Sequence, residues 1–164
     1  MNEEIPPQCV LCVAPHTSNW DFILGIIFCK STGRTIRFLM KKEWFFFPMN
    51  LIFKSLGGIP VDRKKKSFIT GQMVALFHSG KHFQLAVTPE GTRGKSAKWK
   101  TGFYYIALNA GVPITLAYLD YSRKTVGVIK NFYPTGNEKR DIDEIKQYYY
   151  HIRAKHPKKF TIDE

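Results

Sequence analysis

Acidic residues are scarce in this chain of 164 residues: 13 Asp plus Glu stand against 25 Lys plus Arg, a formal net charge of +12. Cysteine is scarcer, with only Cys9, Cys12 and Cys29. An odd, irregularly spaced set gives no disulfide framework and points to a reducing compartment. Cys9 and Cys12 have the C-x-x-C spacing, but no second pair exists to complete a zinc site. The two sit in the apolar run 9–14, which reads as a buried strand, with a redox pair as the other reading. Long apolar runs are also missing. The stretches 22–29 and 44–53 fall well short of the ~20 residues that a membrane span needs. The chain opens on Glu3, Glu4 and two prolines, so no signal peptide is expected. No G-x-S-x-G occurs, which removes the nucleophile elbow of serine hydrolases.

What is present is a substantial apolar complement. Hydrophobic residues make up 44% of the chain, too many for a disordered basic tail and enough for one cored domain spanning 1–164. The charge is localised. Lys30 to Lys100 holds 15 basic and 3 acidic residues, and the rest of the chain is balanced. Such a concentration points to an anionic partner: nucleic acid, a membrane surface, an acidic carrier protein or a phosphorylated substrate.

Apolar strand-like runs alternate with helical patterns. Strands are expected at 9–14, 35–40, 59–61, 83–87, 113–119 and 125–130. Helices are expected at 20–30, from Ser67 to near Gly80, at 101–110 and at 141–155, with short helical pieces over 41–55. The last helix would carry Ile142, Ile145, Tyr149 and Ile152 on one face. This alternation predicts an α/β fold with a mixed, mostly parallel sheet flanked by helices, closed by a hairpin.

Four segments carry chemistry. His16 follows the first strand and Asp21 comes five residues later, in the first turn of the next helix. At the carboxyl end of a strand, that spacing lets a carboxylate hold one imidazole nitrogen and leave the other free as a general base. Without a protein nucleophile, such a base suits direct activation of a substrate hydroxyl. Gly57-Gly58-Ile59-Pro60-Val61-Asp62-Arg63 would deliver Arg63 to an anion from a short strand. Pro89-Glu90-Gly91-Thr92-Arg93-Gly94 follows another strand and combines close backbone approach with positive charge. The neighbouring Gly94-Lys95-Ser96 is no P-loop, because Pro89 stands where that motif needs glycine. Val112-Pro113-Ile114 is a strand start.

In this order the four segments resemble the glycerolipid acyltransferase family, typified by the 1-acyl-glycerol-3-phosphate acyltransferases. Lys100-Thr101-Gly102-Phe103 resembles a further element of that family, and the match spans about residues 9–119. Pro15 stands where the family usually has asparagine, and Pro60 where an aromatic is commoner. The resemblance implies a glycerol-3-phosphate acyltransferase-like fold, with His16 as base and Asp21 as its orienter. It implies that Arg63 binds an anionic head, and that Glu90, Gly91, Thr92 and Arg93 shape and bind the substrate. The implied reaction moves a fatty acyl group from acyl-CoA or acyl carrier protein to the hydroxyl of a lyso-phospholipid, with no cofactor or metal.

A lipid acceptor must come from a bilayer. Trp44 to Phe53, with Phe45, Phe46, Phe47, Leu51 and Ile52 between, is bracketed by Lys41, Lys42 and Lys54. Aromatics framed by lysines suit peripheral contact with the cytoplasmic face of a membrane, and a core element lining an acyl tunnel is the other reading. His78 and His82 lack nearby carboxylates, so a metal is not expected there. The alternative function is a basic nucleic-acid-binding domain without catalysis. It is disfavoured because no recognised RNA or DNA module is present and the aromatics are contiguous rather than spaced along strands.

Overall fold

The computed structural model describes residues 3–62, 66–80 and 82–162. Six strands form one sheet: β1 (Gln8–Val13), β2 (Arg37–Lys41), β3 (Gly58–Val61), β4 (Phe83–Val87), β5 (Ile114–Asp120) and β6 (Thr125–Phe132). Their order is β3-β2-β4-β1-β5-β6, and every pairing is parallel except the β5–β6 hairpin. The α/β class with a mixed, mostly parallel sheet therefore forms as the alternation predicts. Among the described residues five α-helices connect the strands or follow them: α1 (Asn19–Ser31), α2 (Met49–Ser55), α3 (Lys66–Ser79), α4 (Gly102–Ala110) and α5 (Glu138–Tyr148).

β1 is central, between β4 and β5, and its residues 9–12 are all buried. A strand covered on both faces has no need of polar alternation, which is why Cys-Val-Leu-Cys can stand there. Because side chains alternate across a strand, Cys9 and Cys12 lie on opposite faces and both are free thiols. Burial pushes the Cys9 thiol up to about 11 and raises Cys12 as well, so neither is a reactive thiolate.

The two faces of the sheet are covered unequally. Val10, Cys12, Leu85, Ile114 and Leu116 pack into the main core with Met73 and Phe77 of α3, Phe103 and Tyr104 of α4, and Ile142 and Ile145 of α5. The opposite face holds a small cluster, Ile5, Cys9, Leu11, Ile36 and Val128, against which Phe28 and Cys29 of α1 pack. α1 is apolar nearly all round, and it leaves Trp20, Ile23 and Ile27 exposed on one stripe.

Local signals explain the boundaries. Ser18 caps α1 by accepting from the Trp20 N–H at 3.2 Å, and Asp21 closes a capping box on the Ser18 N–H. Gly111 ends α4 at φ 68°, a left-handed conformation that a glycine adopts without penalty. Asp120 sets the β5–β6 turn by accepting from the Ser122 N–H at 2.9 Å and the Arg123 N–H at 3.1 Å.

The last helix differs from expectation. It begins at Glu138, capped by Asn137, and stops at Tyr148 instead of running to Lys155. Beyond it the chain is committed elsewhere. The fully buried Tyr149 donates its hydroxyl to the Cys12 carbonyl at 2.6 Å, Arg153 O accepts from Tyr121 N at 2.9 Å, and His156 N donates to Thr17 Oγ1 at 3.2 Å. Residues 148–152 are aromatic, β-branched or His, all modest helix formers, so these tertiary contacts prevail over the helical period. Ile152 still packs on the core, but from outside the helix.

Candidate active site

Five parallel strands end at one edge of the sheet, and the chemistry-bearing segments follow those ends. Along the strand order the edge presents Asp62 after β3, Lys41 at the end of β2 and Lys42 after it, Glu90 to Arg93 after β4, His16 after β1 and Tyr121 after β5. This is the edge where open α/β sheets bind ligands. Arg63, expected to bind an anionic group, lies outside the described residues, as do Lys64 and Lys65. The basic stretch is divided. Lys41, Lys42, Arg93 and Lys95 belong to this edge, whereas Arg34 and Arg37 stand at the opposite end of β2.

The His16 Nδ1 atom lies 3.2 Å from Asp21 Oδ2. The same oxygen accepts from the backbone N–H groups of Thr17 and Ser18 at 2.8 Å each, and Tyr121 donates its hydroxyl to Oδ1 at 2.6 Å. Burial pushes the Asp21 carboxyl up, but the hydrogen bonds from His16, Tyr121, Ser18 and Thr17 outweigh it and hold the group below its ordinary value. The result is an ionised, buried carboxylate bonded to one nitrogen of a partly exposed imidazole. Nε2 of His16 has no hydrogen-bond partner among the described residues, so it is the nitrogen available to a substrate.

Glu90 faces inward. It is 3% exposed, and its Oε1 accepts from the His16 backbone N–H at 2.8 Å. Burial raises its carboxyl to about 7, and the nearby Asp21 charge adds to the rise. Its Oε2 is buried without a partner among the described residues. Gly91 takes φ 64°, and a Cβ there would stand 3.0 Å from Lys100 Cγ, so glycine suits both the turn and the contact. Thr92 and Arg93 are exposed. Thr92 Oγ1 accepts from Gly94 N at 3.2 Å, and Arg93 reaches across to hydrogen-bond the Asn19 side chain at the start of α1. The structure thus brings His16, Asp21, Glu90 and Arg93 together from two loops 74 residues apart.

Tyr121 was not among the residues singled out from sequence. It lies 100 positions from Asp21, and no local motif marks it. Its one sequence signal is its place directly after a strand that ends at the edge holding His16. Among the described residues no group of three or more His, Cys, Asp or Glu side chains is assembled for a metal ion.

The stretch 44–53 projects into solvent rather than into the core. Trp44, Phe46, Leu51 and Ile52 are exposed and Phe47 is 80% exposed, while Phe45 and Phe53 pack on each other with ring centroids 6.0 Å apart. No described helix is long and apolar enough to cross a membrane.

Comparison with known proteins bears on the family and the fold. The family model described as Acyltransferase matches residues 1–118. A search of the curated proteins gives no match. Among solved structures, the fold is similar to that of the 1-acyl-sn-glycerophosphate (LPA) acyltransferase PlsC from Thermotoga maritima, with a TM-score of 0.55 and 21% identity over 85% of this chain. The chain spans 64% of the length of that structure.

Proposed function

The chain belongs to the Acyltransferase family, and from that premise we propose that it transfers a fatty acyl group from a thioester donor, acyl-CoA or acyl carrier protein, to the hydroxyl of a lyso-phospholipid. The observation that carries this reading is the His16 Nδ1–Asp21 Oδ2 contact of 3.2 Å at the carboxyl edge of β1, with Nε2 left available. Asp21 fixes the tautomer with the proton on Nδ1 and stabilises the imidazolium. Nε2 takes the proton of the acceptor hydroxyl as its oxygen attacks the thioester carbonyl. The carbon–sulfur bond then breaks, and the proton passes from the imidazolium to the departing thiolate. Such a route needs no covalent enzyme intermediate, in keeping with the missing nucleophile motif.

The fold likeness to PlsC, a 1-acyl-sn-glycerophosphate acyltransferase, favours a lyso-phospholipid acceptor. The cations at the same edge, Lys41, Lys42 and Arg93, favour an acceptor or donor that carries phosphate. Arg63 and the exposed Thr92–Arg93 turn are the proposed anion-binding residues, and Glu90 and Gly91 shape the loop behind them. The exposed aromatics around Phe47, flanked by Lys41, Lys42 and Lys54, serve as a peripheral contact with an anionic membrane surface. The nucleic-acid alternative shares the localised positive charge and has no further observation in its favour.

The test is thiol release from acyl-CoA and from acyl carrier protein across a panel of lyso-phospholipids. Acceptor-dependent release is expected, and His16→Ala should reduce kcat by at least about a hundredfold with the fold retained. Undiminished turnover in that variant would remove His16 from the mechanism.

A further inference from the structure

The geometry points to Tyr121 as a positioning residue of the His16–Asp21 pair, contributed by a part of the chain beyond residues 1–118 that the family model matches. The inference rests on the proposed reaction and deepens it, because it names what holds the carboxylate behind the base.

The two oxygens of Asp21 have separate partners. Oδ2 receives His16 Nδ1 and the N–H groups of Thr17 and Ser18, while Oδ1 receives the Tyr121 hydroxyl at 2.6 Å. Every contact on Oδ2 comes from the loop that Asp21 itself closes, so that loop and its carboxylate could shift together. Tyr121 is the bond that ties the carboxylate to another element. It is itself anchored, because its backbone N–H donates to the Arg153 carbonyl at 2.9 Å in the segment after α5. The same segment reaches the catalytic loop again through the His156 N–H on Thr17 Oγ1 at 3.2 Å, and Lys155 Nζ lies 4.9 Å from the Trp20 ring centroid. The Asp21 carboxylate is thus clamped between its own loop and the β5–β6 turn.

The clamp bears on chemistry. When His16 accepts a proton, the positive charge is stabilised by Asp21 only while that carboxylate remains ionised and aimed at Nδ1. A hydrogen bond to Oδ1 lowers the proton affinity of the carboxylate and fixes its plane. Burial and the adjacent carboxylate keep the Tyr121 phenol protonated, so it remains a donor. The titratable and charged groups around Asp21 are His16, Tyr121, Glu90 from the β4 loop, Arg93 bonded to Asn19, and Lys155 and His156 from the C-terminal segment. Of these, Tyr121 alone touches Oδ1.

The experiment compares the full chain with Tyr121→Phe by two readouts. The first needs no substrate: the Asp21 Cγ carbon resonance is followed against pH. Loss of the phenol is expected to raise its midpoint by about one pH unit, as one hydrogen bond to a buried carboxylate is removed. The second is acyl transfer: kcat should fall by about tenfold with KM within about twofold, and the acid limb of the kcat profile should move to higher pH. Incorporating 3-fluorotyrosine at Tyr121 keeps the shape and strengthens the donor, so the Asp21 midpoint should move down. That arm also holds if Tyr121→Phe fails to fold. An Asp21 midpoint that stays put in both variants, or a kcat unchanged while the midpoint moves, overturns the positioning role. Absence of acyl transfer by the parent protein would count against the proposed reaction instead, and the resonance would still decide whether Tyr121 governs Asp21.

Discussion

The Glu90 carboxylate and the His16 backbone are joined by a 2.8 Å hydrogen bond across two loops that follow neighbouring strands. Glu90 therefore acts on the loop that carries His16 from behind, through the backbone rather than through the imidazole. Its second oxygen has no partner among the described residues, so the group has little to offset its loss of hydration when ionised.

This arrangement predicts a pH-dependent strain on the fold. Burial raises the Glu90 carboxyl from 4.5 to about 7. A raised carboxyl binds its proton more tightly in the folded state than in the unfolded state. Below about pH 4.5 both states are protonated and nothing is lost; between there and about 7 the folded state is progressively penalised, and above 7 the cost is fully present. Glu90→Gln removes the ionisation and keeps an oxygen to accept from His16 N–H. In urea unfolding, the variant should gain on the parent by on the order of 2–3 kcal/mol between pH 5 and pH 8. A stability difference that does not change with pH would show that Glu90 is not a buried ionising group.

Much of the active edge was legible in the sequence. His16, Asp21, Glu90 and Arg93 sit at fixed offsets after apolar runs, and strand ends are where parallel sheets expose loops, so strand recognition alone puts them at one edge. The structure adds a second, local reason for Asp21 to stand where it does, since Ser18 and Asp21 form the capping box that starts the helix. The sheet order was not legible: β4 inserts between β1 and β2, and no local pattern records which strands become neighbours. The role of Tyr121 and the hydroxyl bond of Tyr149, whose burial the apolar period does predict, are not legible for the same reason. Each makes its decisive bond across 100 positions or more, to Asp21 and to the Cys12 carbonyl. The end of α5 was misjudged because the apolar period continues through Ile152 while the backbone leaves the helix to meet Tyr121 and Thr17.

Tyr149 makes a second prediction. It is fully buried, its ring packs on Trp99 at 5.7 Å between centroids, and its hydroxyl donates to the Cys12 carbonyl at 2.6 Å. Tyr149→Phe keeps the ring and removes the donor, leaving a buried carbonyl of the central strand with one partner fewer. The cost should be about 1–2 kcal/mol in chemical denaturation, with the denaturant slope unchanged. Cys12 is the penultimate residue of β1, four residues before His16, so the change should also loosen the loop carrying His16. Faster amide exchange at Thr17 and Ser18 is the check. A variant as stable as the parent would mean that another donor satisfies the carbonyl.

The stretch from Trp44 to Phe53 gives the third prediction. A core element would bury its aromatics, yet Trp44, Phe46 and Phe47 stand in solvent next to α2, with Leu51 and Ile52 of that helix also exposed. Leaving this much apolar surface in water is unfavourable unless something covers it, and on the proposed membrane reading the framing lysines would favour an anionic surface. Removing two of the largest side chains separates insertion from charge attraction. Trp44→Ser combined with Phe47→Ser should weaken sedimentation with vesicles containing anionic lipid by about tenfold or more, because each aromatic contributes roughly 1.5–3 kcal/mol when fully buried. Lys41→Gln combined with Lys54→Gln should instead reduce the sensitivity of binding to salt while leaving residual binding to neutral vesicles unchanged. Turnover of a short-chain, water-soluble acceptor should survive the aromatic double variant, since both side chains are exposed and, among the described residues, no hydrogen bond or ring contact joins either to His16 or Asp21, whereas turnover of vesicle-borne acceptor should fall with binding. Equal losses on both acceptors would assign the aromatics to the catalytic pocket, and undiminished vesicle binding would leave the patch without a membrane role.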